Sequence, residues 1–283
     1  MDDRYQITLA VALLVVSLIV LGGFWHTDAA PSDEAKIPGA GQPSILRRYD
    51  FAASPERVVE LSKGLREVSG AALFEGARLL VHNDEKGIVY EILPDAEVDV
   101  LFHQRSDYLA GDYEAIAVAN ELVYLLASDG QMLVLGLPRI KKLDIPLGEH
   151  CELEGLDYSS KLNRLIYACK KVYDESAIIR LYQSDLELTE FELLFELGSD
   201  RLPATLHDFA PSAIVTEESI ILASARQEAL LELNWQGDVV YYVKLKKKRH
   251  PQTEGLELLP DGTLIVLDEG KKRGRLQQYA PLN

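Results

Sequence analysis

The stretch Leu153-Glu-Gly-Leu-Asp157, followed by the apolar run Leu165-Ile-Tyr-Ala168, decides the fold because the pair recurs along the chain. Short apolar runs separated by turn-forming residues are typical of antiparallel strands joined as hairpins. Four further segments share the polar–small–aliphatic pattern of the first run: Val68-Ser-Gly-Ala-Ala72, Tyr113-Glu-Ala-Ile-Ala117, Pro211-Ser-Ala-Ile-Val215 and Thr253-Glu-Gly-Leu-Glu257. Each also leads into a second apolar run: Leu79–His82, Tyr124–Ala127, Ile220–Ala223 and Leu264–Leu267. The chain is therefore built from a repeated hairpin unit.

The spacing of the units identifies the architecture. The Ser or Glu residues of the five motifs are 45, 40, 58 and 42 residues apart, counting through Ser69, Glu114, Glu154, Ser212 and Glu254. A period of about 40–50 residues with four strands per unit is typical of β-propeller blades, and a sandwich does not repeat at fixed intervals. The sequence therefore predicts an all-β, five-bladed β-propeller. A six-bladed propeller is the alternative, and it requires a further blade hidden in the 58-residue interval.

The last unit has about three strands before the chain ends, so its outer strand is expected from the other end of the domain. Ser44–Asp50 is predicted to supply that strand, which closes the ring and leaves no open edge. A short helix is predicted around Pro55–Leu65.

The geometry of a propeller gives the repeated motif a functional position. Each innermost strand lines the central channel, so Glu114, Glu154 and Glu254 are expected to point toward one axis, and Ser69 and Ser212 complete the ring. Second strands run back to the same face, where their ends place further candidate ligand-facing residues: His82, Asn83, Asp84, Asp129 and Asp268. His82 is the candidate acid–base residue, although a histidine beside an Asx turn is more often a structural hydrogen-bonder.

Three converging carboxylates repel one another unless a cation or basic groups compensate them, or unless some stay protonated. Oxygen ligands suit a hard cation, and a flexible shell of 6–8 oxygens suits Ca²⁺ better than Mg²⁺. Glu114, Glu154 and Glu254 are therefore the predicted metal ligands. The alternative is that each glutamate accepts hydrogen bonds from backbone N–H groups of the adjacent blade.

The net charge of −16 argues against a nucleic-acid partner, because a phosphate-binding surface needs clustered Lys and Arg. The basic runs Lys244–Arg249 and Lys271–Arg275 are interpreted as solvated turns on an acidic surface.

The amino-terminal part of the chain differs in composition from the rest. Ile7–Trp25 is uncharged over 19 residues, enough for a helix that crosses a bilayer core. A cleaved signal peptide is the rival interpretation, but its apolar part is usually shorter and Pro31 is unfavourable for cleavage after Ala30. The predicted organisation is a single-pass membrane anchor over 1–26, a flexible tether over 27–43 and the propeller over 44–283.

Orientation follows from the charges that flank the predicted anchor. Arg4 precedes the apolar run and Asp28, Asp33 and Glu34 follow it, which favours an amino end in the cytoplasm and a propeller outside the inner membrane, in the periplasm or beyond. Cys151 and Cys169 fit an exported domain with one disulfide, and strand pairing places them as diagonal neighbours, so the bond is left open.

Several of these segments, among them Leu80-Val-His-Asn-Asp84, Ile88-Val-Tyr-Glu-Ile92 and the two Glu-Gly-Leu motifs, resemble the bacterial SdiA-regulated (YjiK-like) family over about residues 44–281. That family joins a membrane-spanning start to a five-bladed propeller and is distantly similar to NHL-repeat propellers and calcium-dependent phosphotriesterases. The resemblance implies a bound calcium ion and an esterase- or lactonase-like activity. Only Glu114, Glu154 and Glu254 match its acidic motif, and Ala115 departs from it.

Three functions follow from these observations. The first is a calcium-binding propeller that recognises an unidentified small molecule or protein at its channel. The second is a calcium-dependent hydrolase of esters, lactones or phosphotriesters, which needs a general base within reach of the ion. The third is a metal-free scaffolding module.

Overall fold

The computed structural model describes residues 41–94, 111–136 and 140–282, and within them the chain forms an all-β, five-bladed β-propeller. Blade one contains β2 (Val68–Phe74), β3 (Arg78–Asn83) and β4 (Val89–Ile92). Blade two contains β5 (Tyr113–Ala119), β6 (Leu122–Ala127), β7 (Gln131–Leu135) and β8 (Lys141–Asp144). Blade three contains β9 (Cys151–Ser159), β10 (Arg164–Val172), β11 (Ile179–Ser184) and β12 (Phe191–Leu197).

Blade four contains β13 (Ala213–Thr216), β14 (Ile220–Ser224), β15 (Ala229–Leu233) and β16 (Val239–Lys244). Blade five contains β17 (Thr253–Leu258), β18 (Leu264–Asp268) and β19 (Arg275–Tyr279), with β1 (Arg57–Glu60) as its outer strand. All pairs within the blades are antiparallel, and the innermost strands β2, β5, β9, β13 and β17 contact one another in that order around a closed ring. The prediction of five blades is confirmed.

The hydrophobic core lies between the blades rather than at the centre of the molecule. Five clusters of buried apolar side chains each join two neighbouring blades, because the inner strands are apolar on both faces. Strands that are buried on both faces have continuous apolar sequences, and β14 and β18 are buried at every position. The central channel is lined by the innermost strands of the blades.

The ring closes through a different segment from the one predicted. β1 pairs with β19, with Val58 opposite Gln277 and Val59 opposite Leu276, whereas Leu46–Arg48 forms a 3₁₀ turn. The buried carboxylate of Glu232 accepts hydrogen bonds from the backbone N–H groups of Ile45 (2.8 Å) and Leu46 (3.1 Å). The backbone N–H groups of this segment therefore donate to a side chain rather than to the edge of a β-strand.

The helix predicted around residues 55–65 is also absent from the described chain. β1 and a 3₁₀ turn at Lys63–Leu65 occupy this stretch. Tertiary context explains the difference, because the edge of β19 needs a partner and the β-branched Val58 and Val59 suit a strand.

Cys151 and Cys169 form a disulfide with a Cα–Cα distance of 5.7 Å. Cys169 lies opposite Leu153, and Cys151 pairs with Val172. Register shifts on either side of Cys169 account for this irregular pairing.

The predicted anchor (1–26) and most of the predicted tether (27–43) lie outside the described residues. Among the described residues, no helix is both long enough and apolar enough to cross a membrane.

Candidate functional site

Each glutamate of the predicted ring is the extra residue of a β-bulge. Tyr113 pairs with Ala127 and Ala115 pairs with Leu126, so Glu114 between them has no partner on β6. The same register shift isolates Ser69 in blade one, Glu154 in blade three and Glu254 in blade five. A bulge bends its strand and re-aims a side chain, so these residues depart from the alternation that fills the core.

The bulged residues meet at one end of the central channel, which we call the channel mouth. Ser69, Glu114, Glu154 and Glu254 line this end together with the residues that follow them. Ser69 Oγ donates a hydrogen bond to Glu114 Oε2 at 3.1 Å across the junction of blades one and two. The sequence prediction that the three glutamates share one axis agrees with this arrangement.

Close packing explains the glycine after two of the glutamates. A Cβ atom at Gly155 would lie 2.8 Å from Ala168 Cβ, and one at Gly255 would lie 2.8 Å from Leu267 Cδ1. Both distances are too short for a side chain, so the residue opposite each glycine on the second strand lies directly against the glycine backbone.

A lysine that the sequence analysis did not single out completes the channel mouth. Lys170 Nζ donates to Glu154 Oε1 at 2.5 Å and lies 3.5 Å from Glu152 Oε1. Lys170 is near the end of β10, the second strand of blade three. The ends of second strands in other blades are predicted site positions, and Lys170 occupies the corresponding place in blade three.

The carboxyl groups of the mouth are shifted toward the protonated form. Burial, followed by the charges of Glu154 and Asp112, raises the pKa of Glu114 to about 8, against the opposing charge of Lys170. Burial also raises the pKa of Glu154 to about 7 against the hydrogen bond from Lys170. For Glu254, burial and then the charge of Glu154 raise the pKa well above its usual range. The charge of Glu154 therefore acts on both of the other glutamates.

The acidic surface continues outward across blades one and five. Burial, followed by the charges of Glu67 and Glu85, raises the pKa of Asp84 to about 6. Burial and the charge of Asp84 raise the pKa of Glu269 to about 7, and Glu269 in turn acts on Glu254. Of the second-strand-end residues predicted to face a ligand, Asp84 thus belongs to the electrostatic surroundings of the mouth.

Three other predicted ligand-facing residues make hydrogen bonds within the fold. Ser212 Oγ donates to Thr253 O at 2.7 Å and so ties blade four to blade five. Asp129 Oδ1 accepts from Gln131 N at 3.0 Å within a hairpin turn. Asp268 is fully buried and accepts from Thr253 Oγ1 at 2.9 Å, with His250 Nδ1 also 2.9 Å from its other oxygen. Of these contacts, only that of Ser212 joins two blades; those of Asp129 and Asp268 with Gln131 and Thr253 lie within one blade.

His82 is fully buried on β3 behind the channel wall. Its Nδ1 lies 3.2 Å from the carbonyl oxygen of Asn83, and burial lowers its pKa to about 4, so the ring is neutral. Four buried polar atoms in this region have no hydrogen-bond partner within the described part of the chain: His82 Nε2, Asn83 Oδ1, Asp84 Oδ1 and Tyr113 OH.

The opposite end of the channel carries a second acidic pair that the sequence analysis missed. Asp157 accepts hydrogen bonds from Thr216 N and Oγ1, both at 2.6 Å, and Glu257 Oε2 accepts from Leu73 N at 2.6 Å. Burial raises the pKa of both carboxyls, and the charge of Asp157 adds to the shift of Glu257. The pair lines a cavity of about 190 Å³. Each lies three residues beyond a ring glutamate, a spacing that could have revealed them.

The predicted metal site requires several acidic side chains close enough together to share one ion. Within residues 41–94, 111–136 and 140–282, no group of three or more His, Cys, Asp or Glu side chains is arranged to hold a metal ion.

No protein-family model matches the chain. No curated protein matches it at a significant level. Among solved structures, it is similar to the glutaminyl cyclase of Myxococcus xanthus, with a TM-score of 0.59 and 14% identity over 80% of this chain and 94% of that one. It is also similar to virginiamycin B lyase from Staphylococcus aureus, with a TM-score of 0.43 and 12% identity over 79% of this chain and 73% of that one. The likeness to the glutaminyl cyclase, at such low identity, shows a shared fold alone.

Proposed function

We propose that this protein is a membrane-anchored, extracytoplasmic β-propeller that binds a cation and a small ligand or protein partner at its channel mouth. Calcium is the expected ion, and Glu114, Glu154 and Glu254 are the residues expected to contact it. On this proposal the chain is a member of the SdiA-regulated family that its motifs resemble.

The balance of charge at the channel mouth carries the proposal. Three largely buried glutamates lie there, the charge of Glu154 raises the pKa of the other two, and Lys170 is the cation that lowers the pKa of each. One ammonium group cannot neutralise three carboxylates, so without a further cation part of the ring stays protonated. A bound cation removes that cost, and its binding is expected to release protons.

The donor chemistry of the ring fits calcium, since carboxylate oxygens are its preferred ligands. The present arrangement differs from a coordination shell, because Lys170 already pairs with Glu154 at 2.5 Å. Calcium binding on this proposal therefore requires the Lys170 side chain to turn away. Its side chain is 42% exposed, which leaves it room to do so.

Two observations support the proposed location. The disulfide between Cys151 and Cys169 suits an oxidising compartment such as the periplasm. The uncharged run Ile7–Trp25, with Arg4 before it, suits an anchor that leaves the propeller outside the inner membrane.

Calcium titration of the propeller tests the proposal. A ligand that binds only the folded state stabilises it by about 2.7 kcal/mol at a hundredfold excess over Kd. We expect calcium to raise the melting temperature of the wild type and Glu154→Gln to lose most of that rise. Glu187→Gln, which changes an exposed residue outside the channel, is the matched control. Identical melting curves in chelator and in excess calcium would contradict the proposal.

A second candidate function is a calcium-dependent hydrolase of esters, lactones or phosphotriesters. The neutral ring of His82 favours it, since its Nε2 has no partner among the described residues and could accept a proton. A pKa of about 4 makes His82 a weak base at neutral pH. Hydrolysis of phenyl acetate, a γ-lactone or a phosphotriester that requires calcium and is lost in His82→Leu would support this function. Unchanged hydrolysis in that variant would exclude His82 as its base.

A further inference from the structure

In every blade, one residue of the second strand lies directly opposite the small residue of the repeated motif. In four blades it is aliphatic: Leu126 lies opposite Ala115, Ala168 opposite Gly155, Ala223 opposite Ala213 and Leu267 opposite Gly255. In blade one it is His82, opposite Gly70. The fold therefore needs only an apolar side chain at this position. The histidine in blade one departs from the residue type that the other four blades share.

The hydrogen bonding of His82 leaves one ring nitrogen as a free acceptor. A carbonyl oxygen can only accept, so the contact of Nδ1 with Asn83 O, at 3.2 Å, places the proton of the neutral ring on Nδ1. Nε2 then carries a lone pair, and it is buried with no partner among the described residues. A buried acceptor that lacks a donor destabilises a fold, so this nitrogen is a candidate acceptor for a donor group of a bound ligand.

Gly70 allows that acceptor to lie against the innermost strand of blade one. A Cβ atom at position 70 would lie 2.7 Å from His82 Nε2, so the ring rests against the Gly70 backbone only because glycine has no side chain. Gly70 lines the channel and directly follows Ser69, which bonds to Glu114. The free nitrogen therefore lies against the backbone of a channel-lining residue, next to the serine that bonds to Glu114.

We propose that the channel mouth binds the ammonium group of a small organic amine, which is neutralised by the glutamates and donates one N–H to His82 Nε2. This inference rests on the proposed cation site and names the chemical class of its ligand. Lys170 supports it, since an ammonium group already lies 2.5 Å from Glu154 Oε1. A free amine and calcium are expected to compete, because they use the same carboxylates.

Ammonium and potassium ions provide a matched pair of probes, because they have nearly equal size and only ammonium donates hydrogen bonds. With ¹⁵N-labelled histidine, we expect ammonium chloride to shift the Nε2 resonance of His82 and to raise the melting temperature at constant ionic strength. Potassium chloride should do neither. Calcium should reverse the ammonium-dependent shift.

His82→Leu tests the residue with a side chain that blades two and five use at the same position. We expect this variant to melt no lower than the wild type, to keep its response to calcium and to bind ammonium about tenfold more weakly. Gly70→Ala is a second variant, whose added Cβ forces the imidazole away from the channel; it should also weaken ammonium binding.

The outcomes separate this inference from the proposed function. A calcium response together with equal effects of ammonium and potassium overturns the ammonium site and leaves the cation site standing. The absence of any response to calcium or ammonium overturns both. A marked loss of stability in His82→Leu, with unchanged ammonium binding in Gly70→Ala, identifies His82 as a structural residue and overturns the inference.

Discussion

Lys170 Nζ and Glu154 Oε1 lie 2.5 Å apart, and this contact joins the end of β10 to the bulge of the neighbouring strand β9. Glu154 is only 3% exposed, whereas the lysine is 42% exposed. Lys170 therefore supplies a positive charge to the buried glutamates from the solvent side. An ion that enters the channel mouth must compete with it.

Removal of this internal cation should strengthen the site. In Lys170→Met the ring loses its positive neighbour, so we expect calcium to bind at least about tenfold more tightly, or about 1.4 kcal/mol. Isothermal titration at pH 7.5 measures the change. Lys171→Met, which removes the adjacent exposed lysine, should leave the affinity unchanged. Equal affinities in wild type and Lys170→Met would show that Lys170 does not compete with the ion.

The raised pKa of Glu114 predicts how stability depends on pH. The folded state holds the proton until about pH 8, whereas the unfolded chain loses it near pH 4.5. In the absence of calcium, the stability of the wild type should therefore fall as pH rises from 5 to 8. One group contributes a slope of up to about 1.4 kcal/mol per pH unit. Chemical denaturation should show a shallower slope in Glu114→Gln than in wild type, and equal slopes would mean that Glu114 is ionised in the fold.

The disulfide is predicted to stabilise blade three substantially. Its cysteines are 18 residues apart in sequence, and a loop of that size constrains the unfolded chain by about 3 kcal/mol. Chemical denaturation of a Cys151→Ser, Cys169→Ser double variant should show a loss of this order. A count of two free thiols on protein exported to the periplasm would contradict the bond.

Glu232 is predicted to hold the segment that precedes blade one against blade four. Its buried carboxylate accepts from Ser44 Oγ at 2.6 Å and Ser219 Oγ at 2.7 Å, in addition to two backbone donors. Glu232→Gln replaces one acceptor oxygen with a donor, so the free energy of unfolding should fall by about 2–4 kcal/mol. Glu218→Gln is the control, because Glu218 is 76% exposed and its ion pair with Arg48 is worth at most about 1 kcal/mol. Equal stabilities of the two variants would show that this segment is not held by Glu232.

The repeat, the number of blades and the meeting of the three glutamates could be predicted from sequence, because each depends on a pattern that recurs. The closing strand could not, since Ser44–Asp50 and Arg57–Glu60 are both short and partly apolar. The choice between them depends on Glu232, which is almost 190 residues away from the segment it binds. Long-range contacts of this kind leave no trace in local periodicity.

The chemistry of the site was only partly accessible for a related reason. The glutamates could be predicted because they recur in the repeated motif. Lys170 could not, because it lies in a short polar run that is typical of an exposed strand end. His82 was identified as a candidate, but its free nitrogen and its contact with Gly70 depend on the packing of β3 over β2. The bulges were also invisible, since one extra residue does not alter the apolar pattern of these short strands.

The bulges have a consequence for how this protein can change over evolutionary time. Because a bulged residue stands outside the pairing of its strand, it can be exchanged without disturbing the packing between blades. Four of the five ring positions have this freedom, and the chain uses it to present Ser69 in one blade and glutamates in three others. Ligand preference can thus drift one blade at a time while the scaffold stays constant. Substitutions at the same four positions are therefore a direct route to an engineered change of ligand specificity.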